Sequence, residues 1–235
     1  MTNSVATESM IPIKILLKEY RNDVNIAASS FYAWKTINNL ATSDEDVYCT
    51  LNAHALSWKI ISDSLLVTFL VALGRIFDGD ERSVSVHKLL DVCKKEIAQF
   101  NKPALAARNQ QEPGGIKPTW LDEFLQDSYE PKTSDFDELA QIADQHQKTY
   151  KSKYQPIRHK VIAHTDLMAS SFKDALFSNT NIPEVEEVLK FLRHVERFVE
   201  DLYMNGVKTN FVLHKFDDEC AIRDDLKKLL GKLPN

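Results

Sequence analysis

The chain has 235 residues, of which 43 % are apolar and 27 % are charged, values ordinary for a soluble globular protein. Its formal net charge of −5 excludes a general attraction to nucleic acid, so RNA binding would need a local basic patch. Six glycines are too few for the many turns of an all-β fold, and the length suits one large domain or two small ones.

The three cysteines, Cys49, Cys93 and Cys220, are isolated and odd in number. This pattern is typical of free, buried thiols in a reducing cytosol rather than of disulfides or a structural zinc site. The first ten residues contain no basic segment followed by an apolar run, so no signal peptide is predicted. We therefore expect a cytoplasmic protein whose residues 1–10 are disordered.

Two long helices are predicted in the first third of the chain. Apolar residues recur at helical spacing from Ile11 to about Leu40. Acidic residues at 44–46 can open a second helix that runs to Phe77 and is expected to be the longest. Its apolar stripe is predicted to face the core and comprises Trp58, Ile61, Leu65, Phe69 and Ala72. Because polar residues interrupt the stretch from Ile60 to Phe77, we expect a buried helix rather than a membrane span.

Arg75 and Asp78 lie three positions apart near the end of this helix. A structural ion pair or a helix cap is the simpler interpretation, and a role in lining a site is the other. Ser85 can cap a third helix from Val86 to Phe100. Prolines and glycines around 101–118 then predict a long loop, which can include a short helical piece.

The rest of the chain is also predicted to be helical. Further helical segments are expected at 120–126, 136–154, 183–204 and 217–230. Pro183 suits the first turn of one of them and Asn205-Gly206 its end, while residues 207–213 suit an extended connection. The sequence therefore predicts an all-α fold, with an antiparallel helical bundle over 11–207 and a C-terminal extension over 208–235.

The segment from 150 to 166 contains two side chains that carry chemistry. Arg158 is a permanent cation that can bind a phosphate through a planar fork of donors. His164 can accept and donate a proton near neutral pH. These are the two functions that metal-free RNA cleavage requires. The chain has no recognisable metal-ligand, phosphate-loop or cofactor motif, so no metal and no cofactor are predicted.

The spacing of Arg158 and His164 has a geometric consequence. Six helical residues turn the chain by about 600°, so one continuous helix would aim His164 about 120° away from Arg158. The two side chains can share a site if the helix ends between them or if they meet across a symmetric dimer. We predict a homodimer with this segment near the two-fold axis.

The residues around Arg158 add cations and aromatic rings. The nearby basic side chains are Lys148, Lys151, Lys153, His159 and Lys160. They can form an RNA-binding patch, or they can simply be the solvent-facing side of a helix. Tyr150 and Tyr154 precede Arg158 at four-residue spacing. Such rings can stack on bases or position a phosphate, although core packing is their commoner use.

The unit Arg158-His159-Lys160-Val161-Ile162-Ala163-His164 resembles the R-x4-6-H signature of HEPN domains. The stretch from Phe69 to Asp78, followed by Val86 to Leu90, resembles the abortive-infection, AbiU-type branch of that superfamily, whose members have a similar "gRiFD…LL" segment before the motif. The two stretches occur in the expected order, and the resemblance spans roughly Ile11 to Val207.

The resemblance implies a HEPN-type bundle and a metal-independent endoribonuclease from a toxin or phage-defence system. RNA would be cleaved through a 2′,3′-cyclic phosphate, with Arg158 stabilising the phosphorane and His164 moving protons. Asp166 would orient His164, and His159 would contact RNA. An antitoxin is a further implied partner. In one HEPN subgroup the antitoxin modifies a tyrosine at the position of Asp166, so silencing by that route is not expected here.

Two functions stay open at this point. The first is the endoribonuclease, and the second is a catalytically inactive HEPN module that binds a nucleotide, RNA or an antitoxin. In the second, Arg158 would pair with a carboxylate or cap a helix, and His164 would be a buried core residue. Arg82 and His87 also match the bare signature, but their serine-rich, β-branched context predicts a loop that leads into a helix.

Overall fold

The computed structural model describes residues 12–110, 117–159, 180–210 and 217–230. Its α-helices, in chain order, are α1 (Ile13–Ser43), α2 (Glu45–Ala53), α3 (Ala55–Ile76), α4 (Val86–Lys95), α5 (Lys102–Asn109), α6 (Leu121–Asp127), α7 (Thr133–Thr149), α8 (Gln155–Ile157), α9 (Ile182–Glu200) and α10 (Asp217–Leu230). A 3-10 turn (Ile97–Phe100) follows α4, and π-helical turns (Tyr150–Tyr154 and Asp201–Asn205) follow α7 and α9. No strand occurs in these ranges, so the predicted all-α fold is confirmed. The segment expected to be disordered, residues 1–10, lies outside them.

The long helix α1 packs against α3, α9 and α10. Tyr20 and Val24 of α1 are completely buried. The Tyr20 hydroxyl donates a hydrogen bond of 3.1 Å to the backbone carbonyl of Leu192 on α9. Burial raises the pKa of Tyr20 well above its usual value, so this phenol stays neutral and keeps its proton for that bond. α1 therefore forms the centre of the core.

Pairs of contacting residues show that neighbouring helices run antiparallel. The rings of Phe31 and Phe69 lie 5.4 Å apart, and Asp23, earlier on α1, binds Arg75, later on α3. The same reversed order is seen in the ion pairs of α1 with α9 (Arg21–Glu196 and Lys35–Glu186) and of α4 with α7 (His87–Asp144 and Lys94–Asp137). The antiparallel bundle expected from the sequence is present.

The second predicted helix is in fact two helices. Asp44 begins α2 by accepting a hydrogen bond of 3.1 Å from the backbone N–H of Val47. The chain leaves helical geometry at His54, where φ is −123° and ψ is 37°. The expectation of one longest helix here is therefore wrong, and α1, with 31 residues, is the longest in the part described. No glycine or proline marks the break, so periodicity alone did not reveal it.

The first half of α3 extends beyond the core. Leu56 is 74 % exposed and Ile60 is 59 % exposed. Of the residues predicted to form its core stripe, Phe69 and Ala72 are buried, Trp58 and Leu65 are half-buried, and Ile61 is exposed. The predicted core stripe is thus correct for the second half of α3. In the first half, Trp58 packs against Leu40, Val47 and Leu230, while Leu56, Ile60 and Ile61 are exposed.

α3 also has the length and composition of a helix that could cross a membrane, the one such helix in the described ranges. Only 22 % of its most apolar window is buried inside the protein. Core helices of water-soluble proteins pass the same test of length and composition, so this feature alone does not indicate a membrane. It does identify an unusually apolar exposed helix.

The helix starts of the middle region follow from their capping residues. Ser85 accepts a hydrogen bond of 3.3 Å from the N–H of Lys88 and begins α4, as predicted. Asn101 accepts one of 2.8 Å from the N–H of Ala104 and begins α5. The predicted loop at 101–118 therefore contains a full helix, because the asparagine cap outweighs the prolines and glycines that follow it.

The helix α9 begins as the sequence predicts, and the helical segment ends at the predicted Gly206, although its last turn, Asp201–Asn205, is π-helical. Asn181 accepts a hydrogen bond of 2.8 Å from the N–H of Glu184, and Pro183 occupies the first turn. Gly206 ends the following π turn with a left-handed φ of 59°, a conformation that favours glycine. After it, α10 returns to α1 and places Leu230 in a small second core with Leu40 and Val47.

The cysteines are not all buried. Cys93 lies in the main core, and burial raises its pKa to about 12. Cys49 on α2 and Cys220 on α10 are exposed, which corrects the expectation of three buried thiols. These two helices lie at the edge of the bundle and present an outer face to solvent.

Replacing Asp44 with alanine should lower the free energy of unfolding by about 1 kcal/mol, because the N–H of Val47 loses its partner. Asp46→Ala is the matched control, since it removes the same charge from the first turn of α2 without touching the cap, and should cost about 0.3 kcal/mol. Urea denaturation measures both. Equal effects of the two substitutions would contradict the capping role.

Candidate functional site

Arg158 is reached through an irregular helical segment. α7 continues into the π turn, in which the N–H of Gln155 donates to the carbonyl of Tyr150, five residues earlier. Pro156 lies in the first turn of α8, and Arg158 stands at its end. In an ordinary α-helix, Tyr150, Tyr154 and Arg158 would lie on one face because they are four residues apart. The wider π turn before Arg158 changes the direction in which the arginine side chain leaves the helix.

The Arg158 side chain is half-buried and lies against the last turn of α3. A Cβ atom placed on Gly74 would be 2.8 Å from Nε of Arg158 and 2.9 Å from its Cδ and Cζ. The guanidinium therefore occupies the space that any side chain at position 74 would fill. Carbonyl groups at a helix C-terminus carry partial negative charge, which favours a cation at this place.

Tyr150 forms the next wall of the site. Its ring is buried and stacks on the ring of Phe77 with the centroids 5.5 Å apart. Its hydroxyl is buried and makes no hydrogen bond of normal geometry within the described residues. Burial raises the pKa of Tyr150. The guanidinium of Arg158 acts against that rise through a weak hydrogen-bonding contact and through its charge, and the carboxylate of Asp78 adds to the rise. The hydroxyl is thus a neutral group beside the guanidinium.

The end of α3 is tied to α7 through Gln147. Its side-chain amide donates a hydrogen bond of 3.2 Å to the backbone carbonyl of Phe77. Its amide oxygen accepts one of 3.1 Å from Lys151. Because Phe77 also stacks on Tyr150, the junction holds the last turn of α3 and the π turn together. Arg158 is supported from both.

Arg75 and Asp78 do not pair with each other. Arg75 binds Asp23 of α1, with 2.5 Å between Nη2 and Oδ1. Asp78 accepts hydrogen bonds from the N–H of Asp80 at 3.1 Å and from the hydroxyl of Ser83 at 2.9 Å. Of the roles considered for these two residues, the ion pair between them is therefore wrong, because each side chain reaches another partner. Asp78 also raises the pKa of Tyr150, and a role of either residue in lining the site stays a prediction.

The lysines around the motif differ in their surroundings. Lys148, Lys151 and His159 are exposed. Lys153 forms an ion pair with Glu184 of α9, and the Tyr154 hydroxyl donates to the same carboxylate at 2.9 Å. Lys153 is therefore partly neutralised.

The tyrosine rings serve the core. Tyr150 and Tyr154 are both buried, so neither offers a ring face to an RNA base. Both tyrosines therefore pack in the core, and base stacking, the other use predicted for them, is not available to their buried rings. Earlier on the same segment, His146 packs against Phe191 with ring centroids 4.7 Å apart, and burial lowers its pKa. The segment thus faces the protein with its aromatic residues and solvent with its lysines.

Three predicted site residues, Lys160, His164 and Asp166, lie outside the described residues. Their roles stay predictions from the sequence. In the described ranges, no cluster of three or more His, Cys, Asp or Glu side chains is arranged to hold a metal ion.

The competing match at Arg82 and His87 has a different setting. As expected, Arg82 lies in the loop between α3 and α4, where it binds Asp80, and His87 lies in the first turn of α4. His87 contacts Asp144 at 2.9 Å. The cleft beside them, of about 450 Å³, is lined by four carboxylates, from Asp78, Asp80, Glu81 and Asp91, and by three cations, Arg82, Lys88 and Lys95. Arg82 and Lys95 are paired with carboxylates of this lining, so the cleft has no excess of positive charge to attract phosphate.

A comparison with known protein families identifies the family of the chain. A family model for the HEPN family AbiU2 matches residues 11–229, nearly the whole chain. The chain belongs to the AbiU2 family. The predicted HEPN resemblance is confirmed, and the match includes α10 as well as the bundle. No curated protein and no solved structure matches the chain.

Two members of this AbiU2 site were not recognised from the sequence. Gly74 and Phe77 belong to the segment that suggested the family, but only Arg75 and Asp78 were singled out as polar residues. A glycine inside a helix costs about 0.5–1 kcal/mol relative to alanine, so its presence without a turn signals a packing reason. The partner of Phe77 could not be deduced, because Tyr150 is distant in sequence.

Tyr150→Phe should leave the free energy of unfolding unchanged within about 0.5 kcal/mol, because the hydroxyl makes no normal hydrogen bond and the ring contacts persist. Tyr154→Phe is the matched comparison and should cost about 1.5 kcal/mol, since its hydroxyl binds the Glu184 carboxylate. Chemical denaturation measures both variants. A larger loss for Tyr150→Phe than for Tyr154→Phe would show a bond to Arg158.

Proposed function

We propose that this AbiU2-family protein is a metal-independent endoribonuclease that acts in phage defence by abortive infection. The observation that supports this most is the position of Arg158, a half-buried guanidinium at the C-terminal end of α3, beside the neutral hydroxyl of Tyr150. A planar cation in such a place is suited to binding a phosphate. Exposed Lys148, Lys151 and His159 lie on the same chain segment.

In the proposed reaction the 2′-hydroxyl of one ribose attacks the adjacent phosphorus. His164 takes the proton from that hydroxyl, the bond between phosphorus and the 5′-oxygen breaks, and the histidine returns a proton to the leaving 5′-oxygen. A 2′,3′-cyclic phosphate and a free 5′-hydroxyl result. Arg158 stabilises the negative charge on the non-bridging oxygens as the phosphorane forms. Asp166 would orient His164.

The charge distribution supports local rather than general RNA binding. The whole chain is acidic, with a formal net charge of −5. Lys153 contributes little, because Glu184 neutralises it. The remaining exposed basic side chains near Arg158, Lys148, Lys151 and His159, would position the RNA backbone through phosphate contacts. Lys160 would extend this surface. Binding should therefore weaken strongly as salt is raised.

The chemistry is tested by Arg158→Ala and His164→Ala, each of which should lower cleavage of total RNA by about a hundredfold or more. His87→Ala, from the competing match, is the control and should change the rate little. Cleavage by the wild type should persist in EDTA and yield cyclic phosphate ends. Gel electrophoresis and end-group analysis measure these outcomes.

Undiminished cleavage by His164→Ala would refute the catalytic assignment. A wild-type protein that cleaves none of the RNAs tested, but binds RNA, a nucleotide or an antitoxin through Arg158, would instead favour the inactive HEPN module. We also propose that the protein acts in the cytoplasm, where its proposed RNA substrate is found.

We also propose that the active form is a homodimer. Two observations support it: the spacing of Arg158 and His164 suits a shared site, and α3 has an uncovered apolar surface at Leu56 and Ile60. This exposed half of α3 contains one lysine and one aspartate, Lys59 and Asp63, which pair with each other, so two copies would meet without repulsion. The exposed half of α3 and the Arg158 contact lie on the same helix, with about 21 Å along the helix axis between Ile60 and Gly74.

Sedimentation at about 10–50 µM should give the mass of a dimer. Replacing both Leu56 and Ile60 with glutamate should produce a monomer, because two charges would be buried in the interface. Ile15→Glu is the control, as Ile15 is similarly exposed on α1. A monomeric wild type would contradict the dimer. A dimer unaffected by the double substitution would place the interface elsewhere, and binding of the wild type to lipid vesicles would favour a membrane partner for α3.

A further inference from the structure

We infer that Gly74 is a positioning residue for Arg158: the lack of a side chain at position 74 sets where the guanidinium lies. The inference rests on the proposed function in so far as Arg158 is taken as the phosphate-binding group. The inference also means that the last turn of α3 forms part of the site around Arg158 within a single protomer, even if the second protomer of the proposed dimer contributes other residues. Gly74 itself touches no substrate in this proposal.

The backbone at Gly74 does not require glycine. The residue lies inside α3, and in the described ranges positive φ is confined to Gly206. Within a helix, glycine is the poorest residue after proline, so conformation alone would favour alanine. The reason for glycine must therefore be space. The three nearest atoms to a Cβ at this position, Nε, Cδ and Cζ, all belong to Arg158.

The contact is too close to tolerate a methyl group without movement. Separations of 2.8 and 2.9 Å are about 1 Å shorter than an optimal contact between carbon atoms. α3 cannot retreat easily, because Leu70, Leu73 and Ile76 of the same turns are buried in the main core. Arg158 is half-buried, and the atoms involved are at the far end of a flexible side chain. The arginine is therefore the group that moves.

Displacement of the guanidinium should affect function more than folding. Groups that stabilise a transition state must be placed within fractions of an ångström, and a shift of about 1 Å can cost up to a hundredfold in rate. The clash itself is relieved by rotation about the arginine's own bonds. Alanine also favours the helix more than glycine does, which offsets part of the loss.

Gly74→Ala provides the test, with Gly79→Ala as the matched control because a Cβ at Gly79 meets no atom within 4 Å. With total RNA as the substrate, Gly74→Ala should lower kcat by about tenfold to a hundredfold with a smaller change in KM. Its circular dichroism and unfolding midpoint should stay near those of the wild type. Gly79→Ala should retain wild-type kcat.

A second measurement does not depend on catalysis. The Nε–Hε resonance of Arg158, assigned by its loss in Arg158→Lys, should move in Gly74→Ala and stay in place in Gly79→Ala. In an Arg158→Ala background, where the clash is absent, Gly74→Ala should raise the unfolding midpoint, whereas in the wild-type background it should leave the midpoint almost unchanged. These readouts hold even if the wild type cleaves no RNA, so failure of the proposed function and failure of this inference are distinguishable.

The inference is overturned if Gly74→Ala leaves both the Arg158 resonance and the wild-type kcat unchanged. It is also overturned if Gly74→Ala has the same effect on the unfolding midpoint with and without Arg158. Should Gly74→Ala fail to fold, the double variant with Arg158→Ala must recover the fold. A double variant that is still unfolded would show that Gly74 accommodates something other than the arginine.

Discussion

The burial of α1 is the constraint on which the rest of the structure depends. This helix fixes α3 on one side, through the Phe31–Phe69 contact, and α9 on another, through the hydrogen bond from Tyr20 to Leu192. α3 and α9 in turn hold the two sides of the segment before Arg158. The end of α3 supplies Gly74 and Phe77, and the start of α9 supplies Glu184, which binds Tyr154 and Lys153. The site is therefore a consequence of how the core is packed.

The ion pairs sort the cations into two groups. Arg75 is bound by Asp23 and Arg21 by the buried carboxylate of Glu196, so these two arginines join helices. Arg193 pairs with the same glutamate within α9 and donates a hydrogen bond to Asn25 of α1. A carboxylate partner holds the arginine side chain in one position and neutralises its charge. Lys148 and Lys151 stay exposed, and Arg158 lies against a helix end, a site of only partial negative charge. A phosphate can compete for Arg158 more easily with the partial charge of a helix end than it can compete with a buried carboxylate for a paired arginine.

Much of the fold could be predicted because local signals agree with packing. Asn181 fixes the start of α9 and Gly206 the end of the π turn after it, and helical periodicity identifies the buried sides of α1 and α9. The exposure of the first half of α3 could not be predicted, since its apolar residues have the pattern of a core helix although Leu56, Ile60 and Ile61 face solvent. In the site, Arg158 was recognised by its chemistry. Gly74 was missed because its role depends on a side chain that is far away in sequence.

The π turn at Tyr150–Tyr154 has a consequence for how this sequence should be compared with others. A π turn is equivalent to one extra residue inserted in an α-helix, so everything after it is rotated relative to the uninterrupted helix. In a relative that lacks this extra residue, the arginine would emerge on another side of the helix and would no longer reach the end of α3. Loss of that residue should therefore be accompanied, over evolutionary time, by a side chain at the position of Gly74. A gap of one residue in an alignment would then report on the geometry of a site tens of residues away.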